Sequence, residues 1–197
     1  VNFYKKNTKK IYWSIFIVIF LFIVFFFYIE FKKKNRIAIT DSYIQATIHL
    51  KVGNRDAAKR KLKEIILSDN STYATLALNL MINQNLVEDN GEILNLFDSV
   101  INNSKHDEEL KNLLLFKKGL IASELSDESQ MLEILNQIIN SDSLWKPHAL
   151  ILLGDFFYYK KDFSQAKSFY EKILSISNLD ESTYEQAVKQ IMIISNE

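Results

Sequence analysis

Two hydrophobic patterns divide the chain. From Ile11 to Ile29 it reads IYWSIFIVIFLFIVFFFYI, apolar on every helical face, uncharged, with Ser14 as its only small polar residue. A helix of that length rises about 28 Å, close to the roughly 30 Å of a bilayer's hydrocarbon core. Tyr12 and Trp13 stand at one end and Tyr28 at the other, the amphipathic aromatics that favour a membrane–water interface. The pattern predicts a transmembrane helix over 11–29. A cleaved signal peptide has a shorter apolar run followed by small residues. Here Phe25, Phe26, Phe27 and Tyr28 lead into Lys32, Lys33 and Lys34, so the segment is expected to remain as an anchor.

Beyond residue 37 the apolar positions recur at spacings of three and four, the signature of amphipathic helices. The spacing predicts nine of them, near 40–52, 54–67, 71–86, 90–103, 107–124, 128–140, 145–160, 163–176 and 181–194. Connections of two to five residues would make neighbours antiparallel. One proline and four glycines in the whole chain suit such a helical layout. The expected organisation is a basic tail over 1–10, the membrane helix over 11–29, a juxtamembrane linker over 30–39 and an all-α domain over 40–197.

Gly154 lies inside a strong helical run, which calls for a packing reason. In a hairpin spanning 147–180, Leu150, Leu153, Gly154 and Phe157 share one face of the first helix, and Ala166, Tyr170 and Ile173 face them from the second. Gly154 and Ala166 are expected at the closest crossing. Asp162 followed by Gln165 reads as a capping box, and Pro147 stands in a first turn, where its missing N–H costs little. The Gly-to-Ala offset returns as Ala46 and Ala58, and as Gly119 and Met131. Segment 71–103 starts alike but is lengthened at its turn by NQNLVEDNGE. Tyr184, Ala187, Val188 and Ile191 begin a further unit. The pattern resembles the tetratricopeptide repeat, a stack of helical hairpins of about 34 residues. The fold class expected is therefore an N-terminal transmembrane helix followed by an α-solenoid of about nine helices.

Charge changes the picture in one respect. The zero net charge hides eight basic residues and one acidic residue in 1–36, and sixteen basic against twenty-three acidic beyond. An acidic domain is not the footprint of a nucleic-acid binder. The anchor is flanked by Lys5, Lys6, Lys9 and Lys10 on one side and Lys32, Lys33, Lys34 and Arg36 on the other, so flanking charge selects no orientation. Lys51, Arg55, Lys59, Arg60, Lys61 and Lys63 make the first hairpin basic, either as a solvated face or as a contact for anionic head groups.

No cysteine is present, which excludes disulfides, thiolate metal sites and a thiol nucleophile. His49, His106 and His148 are scattered without partners at ligand spacing. No phosphate loop or nucleophile elbow occurs. The reading is a non-enzyme with no catalytic residues, no metal, no cofactor and no small-molecule substrate. The remaining candidate is a protein-binding groove on the first helix of the 147–180 hairpin, through His148, Ile151, Asp155, Tyr158 and Tyr159, the two tyrosines reading equally as partner contacts or as side chains partly buried against the next helix.

The whole layout resembles one family, the YfgM-like ancillary subunits of the SecYEG translocon of Gram-negative bacteria. The likeness is carried by TYATLALNL, by SLWKPHALILLGDFFYYKKDFSQAKSFYEKIL and by QAVKQIMIISN, together with the order of tail, anchor and repeats. The resemblance implies a bacterial inner-membrane protein with its C-terminal domain in the periplasm. It also implies partnership with the translocon and with a membrane-anchored periplasmic prolyl isomerase, and a chaperone-like role toward secreted proteins. A scaffold for another envelope complex, in division or respiratory-chain maturation, is the competing expectation.

Overall fold

The computed structural model describes the backbone of residues 2–103, 105–125 and 127–196, and the side chains of those residues from 12 onward apart from residue 15. Val1 and the side chains of Lys5, Lys6, Lys9 and Lys10 in the expected basic tail lie outside the described residues. Every regular element among the described residues is a helix: α1 Asn2–Lys51, α2 Arg55–Ile66, α3 Ser71–Asn83, α4 Asn90–Asn103, α5 Glu108–Glu124, α6 Glu128–Ile139, α7 Lys146–Tyr159, α8 Phe163–Leu174 and α9 Glu181–Ser195. Residues 1–61 and 62–197 form two compact units.

In the first unit, α1 is one unbroken helix of 50 residues. The expected membrane helix, the segment 30–39 and the first repeat helix are all parts of it. The physical reason is local. Residues 30–39 turn from apolar to basic, but they contain neither glycine nor proline, and lysine and arginine are good helix formers. Polarity changes there without any break in backbone propensity. Every described side chain from 12 to 29 is exposed. An apolar surface of that extent calls for an apolar surrounding. By length and composition this helix is able to cross a membrane.

α1 ends where Gly53 takes φ +79°. Its N–H reaches the Leu50 carbonyl at 3.1 Å, and the Asn54 N–H reaches that of His49 at 2.8 Å. This is a Schellman ending, in which a left-handed residue lets the chain satisfy the last carbonyls of the helix. The same six-residue bond recurs from Leu86 N–H to Met81 and from Asp162 N–H to Phe157, each at 2.9 Å, with Asn85 and Lys161 as the left-handed residues. Asn54 and Asp162 then cap the next helix at once, by accepting from the N–H of Ala57 at 3.2 Å and of Gln165 at 3.0 Å. After Asn85 the chain first folds Leu86 and Val87 into the core, and only then is α4 capped, by Asp89 on the Glu92 N–H. That is what the lengthened turn does.

Asn70, Asp107, Asp127 and Asp180 likewise accept from the N–H three residues on. Such a cap is worth about 1 kcal/mol. The expected capping box at Asp162 takes a different form. The Gln165 side chain donates to the Asp162 carboxylate at 2.9 Å, because the Asp162 N–H is already used by Phe157. α7 starts without a side-chain cap at Trp145 and with Pro147 in its first turn. Its entry is tied instead to α5, where Glu109 Oε2 accepts from the Ser143 hydroxyl at 3.0 Å and the Leu144 N–H at 3.3 Å.

In the second unit α7 packs most extensively on α8, α5 on α6, and α8 on α9, while α5 also touches α7. α5 and α7, the first helices of successive hairpins, therefore lie side by side, as in a stacked repeat. The second helices share one register counted from their caps Asn54, Asp89, Asp127 and Asp162. Buried residues stand four places on (Ala58, Ile93, Met131, Ala166), eight places on (Leu62, Phe97, Leu135, Tyr170) and eleven places on (Ile65, Val100, Ile138, Ile173).

Gly154 and Ala166 are both buried, and so is Ala46 with Ala58. The group that occupies the space Gly154 leaves is the Tyr170 ring rather than Ala166. A Cβ on Gly154 would lie 2.5 Å from Tyr170 Cε1 and 2.7 Å from Cζ. Gly119 stands in the same relation to Leu135, at 2.5 Å from Cδ2.

These two glycines give a paired prediction. Gly154→Ala gains about 1 kcal/mol of helix propensity but drives a methyl into a rigid, buried ring, a strain of about 2–3 kcal/mol. The net loss expected in urea unfolding is ~1–2 kcal/mol. In Gly119→Ala the clashing group is the end of a leucine that can rotate, so the change should stay within about 0.5 kcal/mol. Lys161, held at φ +63°, should give a gain of up to about 1 kcal/mol when replaced by glycine.

Candidate protein-binding groove

On α7, Leu152, Asp155, Phe156 and Tyr159 fall at helical spacing on one side. Together with Lys160 and with Ser123 of α5 they line a groove of about 460 Å³. A volume of this size takes a few side chains or a small ligand. Tyr159 stands at its rim and is 83% exposed. Lys160 is already engaged, since its Nζ lies 2.8 Å from Glu128 Oε2 and 5.0 Å from the centre of the Phe156 ring.

Asp155 connects the groove to the hairpin core. The buried Tyr170 hydroxyl donates to its Oδ1 at 2.6 Å. Burial raises the Asp155 carboxyl above the ordinary carboxylate range, and the bond from Tyr170 offsets part of that. Burial, with the Asp155 carboxylate beside it, pushes the Tyr170 phenol far above its usual range. Tyr170 is therefore a fixed donor, and Asp155 an anion held against its dehydration.

The structure divides the five residues expected for the groove. Asp155 and Tyr159 line it. Ile151 is partly buried against the core cluster, as is Tyr158, whose ring lies 5.6 Å from that of Phe163. His148 sits at the other end of α7 in an aromatic group, 5.4 Å from Trp145 and 6.0 Å from Phe116, with those two stacked at 5.5 Å. Leu152, Phe156 and Lys160 join the site without having been expected. The first two were accessible from the spacing of 152, 155, 156 and 159. Ser123 was not, because nothing local tells which helix will lie beside α7.

Other polar contacts tie hairpin to hairpin. Lys117 Nζ donates to Asn79 Oδ1 at 2.9 Å, and the largely buried Lys118 pairs with Asp98 at 2.6 Å. Lys63 of the basic run pairs with Glu92. Along α1, Lys51 stands twenty-two residues past Ile29, or about 33 Å of helix. That is several times the roughly 8 Å screening length of physiological salt, which puts Lys51 beyond the reach of charges at the level of Ile29. His106 Nε2 lies 2.8 Å from the Val100 carbonyl. Among the described residues no group of three or more His, Asp or Glu is placed to hold a metal.

A family model described as tetratricopeptide repeat-like domain matches residues 2–192 of the chain. No curated protein matches it in sequence.

The Asp155–Tyr170 pair makes a pH-dependent prediction. Asp155 is raised on folding, so its ionised form opposes the fold, and that penalty is complete above the raised value and absent below the ordinary 3.8. Asp155→Asn keeps an acceptor for Tyr170 and removes the charge. It should be at least as stable as the parent at neutral pH, and its advantage should vanish as the pH falls toward 3.8. Tyr170→Phe keeps the ring in the space at Gly154 but leaves Asp155 without its donor, for a loss of about 1–2 kcal/mol at neutral pH. Thermal unfolding of the three proteins across pH checks both.

Proposed function

The chain belongs to the tetratricopeptide repeat-like domain family, and from that premise we propose that it is a non-enzymatic adaptor holding a protein-binding groove at a membrane. The observation that carries this reading is the α5–α7 groove, apolar along Leu152 and Phe156, with the exposed Tyr159 at its mouth. Aromatic side chains with a polar tip are the usual anchors of protein interfaces. α1 supplies the attachment, in an apolar run exposed on all sides.

Anchoring confines the domain to a thin layer and so raises its effective concentration toward membrane partners. The resemblance to YfgM-like ancillary translocon subunits supports a more specific form of the proposal. In that form the domain lies in the periplasm of a bacterial inner membrane, beside the Sec translocon and a membrane-anchored prolyl isomerase, and helps secreted chains leave the channel.

Photo-crosslinking in cells from position 159, with the exposed Ser168 of α8 as the reference site, tests this. Adducts with translocon subunits, the isomerase or emerging secretory chains, formed from 159 and not from 168, are the expected result. Adducts from 159 to one other envelope complex alone would make the protein a scaffold for that complex. Equal labelling from both positions would remove the groove from the account.

A further inference from the structure

We infer that the groove selects a partner segment carrying one lysine among apolar residues, the lysine ammonium meeting the outer oxygen of Asp155. The inference rests on the groove being a protein-binding site and adds what it recognises.

The argument is one of charge and hydrogen-bond capacity. The lining holds two charged side chains, Asp155 and Lys160. Lys160 is matched by Glu128 at 2.8 Å, so the carboxylate of Asp155 is the charge left over. Tyr170 satisfies Oδ1 at 2.6 Å. Asp155 accepts no other hydrogen bond and joins no ion pair among the described residues. Oδ2 is therefore left to solvent, in a groove whose lining pairs the apolar Leu152 and Phe156 with Ser123, Tyr159 and Lys160.

A wholly apolar segment seated there would strip that solvent and leave a buried acceptor unmet, which is costly. An acidic segment would add repulsion. A cation replaces the lost water and cancels the charge. The single free oxygen favours lysine over arginine. A guanidinium binds best through both oxygens of a carboxylate, and one of these is already taken by the tyrosine, whereas an ammonium needs only a point contact. Leu152 and Phe156 then face the apolar neighbours of the lysine, and the open face of Tyr159 is available to its stem or its charge.

The test uses the full-length protein in nanodiscs and fluorescence anisotropy. The probes are short labelled helical peptides of leucine, alanine and serine with a central lysine, arginine or norleucine. The lysine peptide should bind at least about tenfold more tightly than the norleucine peptide, with arginine between them. Asp155→Asn, which keeps the acceptor for Tyr170, should erase the difference. Equal binding of lysine and norleucine peptides, or a lysine preference that survives Asp155→Asn, would overturn the inference. If all three bind alike and Tyr159→Ala weakens all three, the groove stands as a binding site and the lysine selection falls. If none binds, both fall.

Discussion

The seating of one ring organises the best-formed hairpin. Tyr170 fills the space that Gly154 leaves open, and its hydroxyl is aimed at the residue next to that glycine. The ring fixes how closely α7 and α8 approach. The hydroxyl fixes a carboxylate that lies in the groove on the other side of α7. Core packing and surface chemistry are thus set by the same side chain, and a change in the first is transmitted to the second. Around it the stacked Phe157 and Phe169 rings, 5.5 Å apart, leave little room for α8 to rotate. Close-packed interiors tolerate such rotation poorly.

The turns add a second constraint. A left-handed residue followed at once by a capping residue reverses the chain in minimal length, and it does so with glycine at Gly53 and with lysine at Lys161. Where three residues intervene before the cap, at 86–88, the chain keeps the register of α4 by burying two of them. Insertions are thereby absorbed at the hairpin tip, and the helices keep their relative phase.

Much of this was legible in the sequence. The helix starts follow from Asn and Asp at seven caps, and the all-α class from period and composition. The small residues at 119 and 154 were visible, but their partners were displaced by one turn. The reason is directional: a helical side chain leans toward the helix N-terminus and covers surface one turn before its own Cα. Tyr170 therefore reaches the level of Ala166. The turn to basic residues over 30–39 marks a boundary of polarity between the apolar segment and the expected domain, and polarity does not by itself interrupt a helix. In the groove, the α7 stripe could be read from its spacing. The depth of each residue could not, and Tyr158 and Tyr159, adjacent in sequence, differ because α8 begins with Phe163 beneath only one of them.

The continuity of α1 has a geometric consequence. A flexible tether fixes only the reach of what it carries, whereas a helix also fixes azimuth. Each residue between Ile29 and Lys51 turns the backbone by about 100°, so the direction in which the first hairpin departs is tied to the face that the apolar segment of α1 turns to its surroundings. The number of residues in that stretch is then a setting of compass bearing as much as of distance, and a rotation of the apolar segment is carried along the helix toward residue 51.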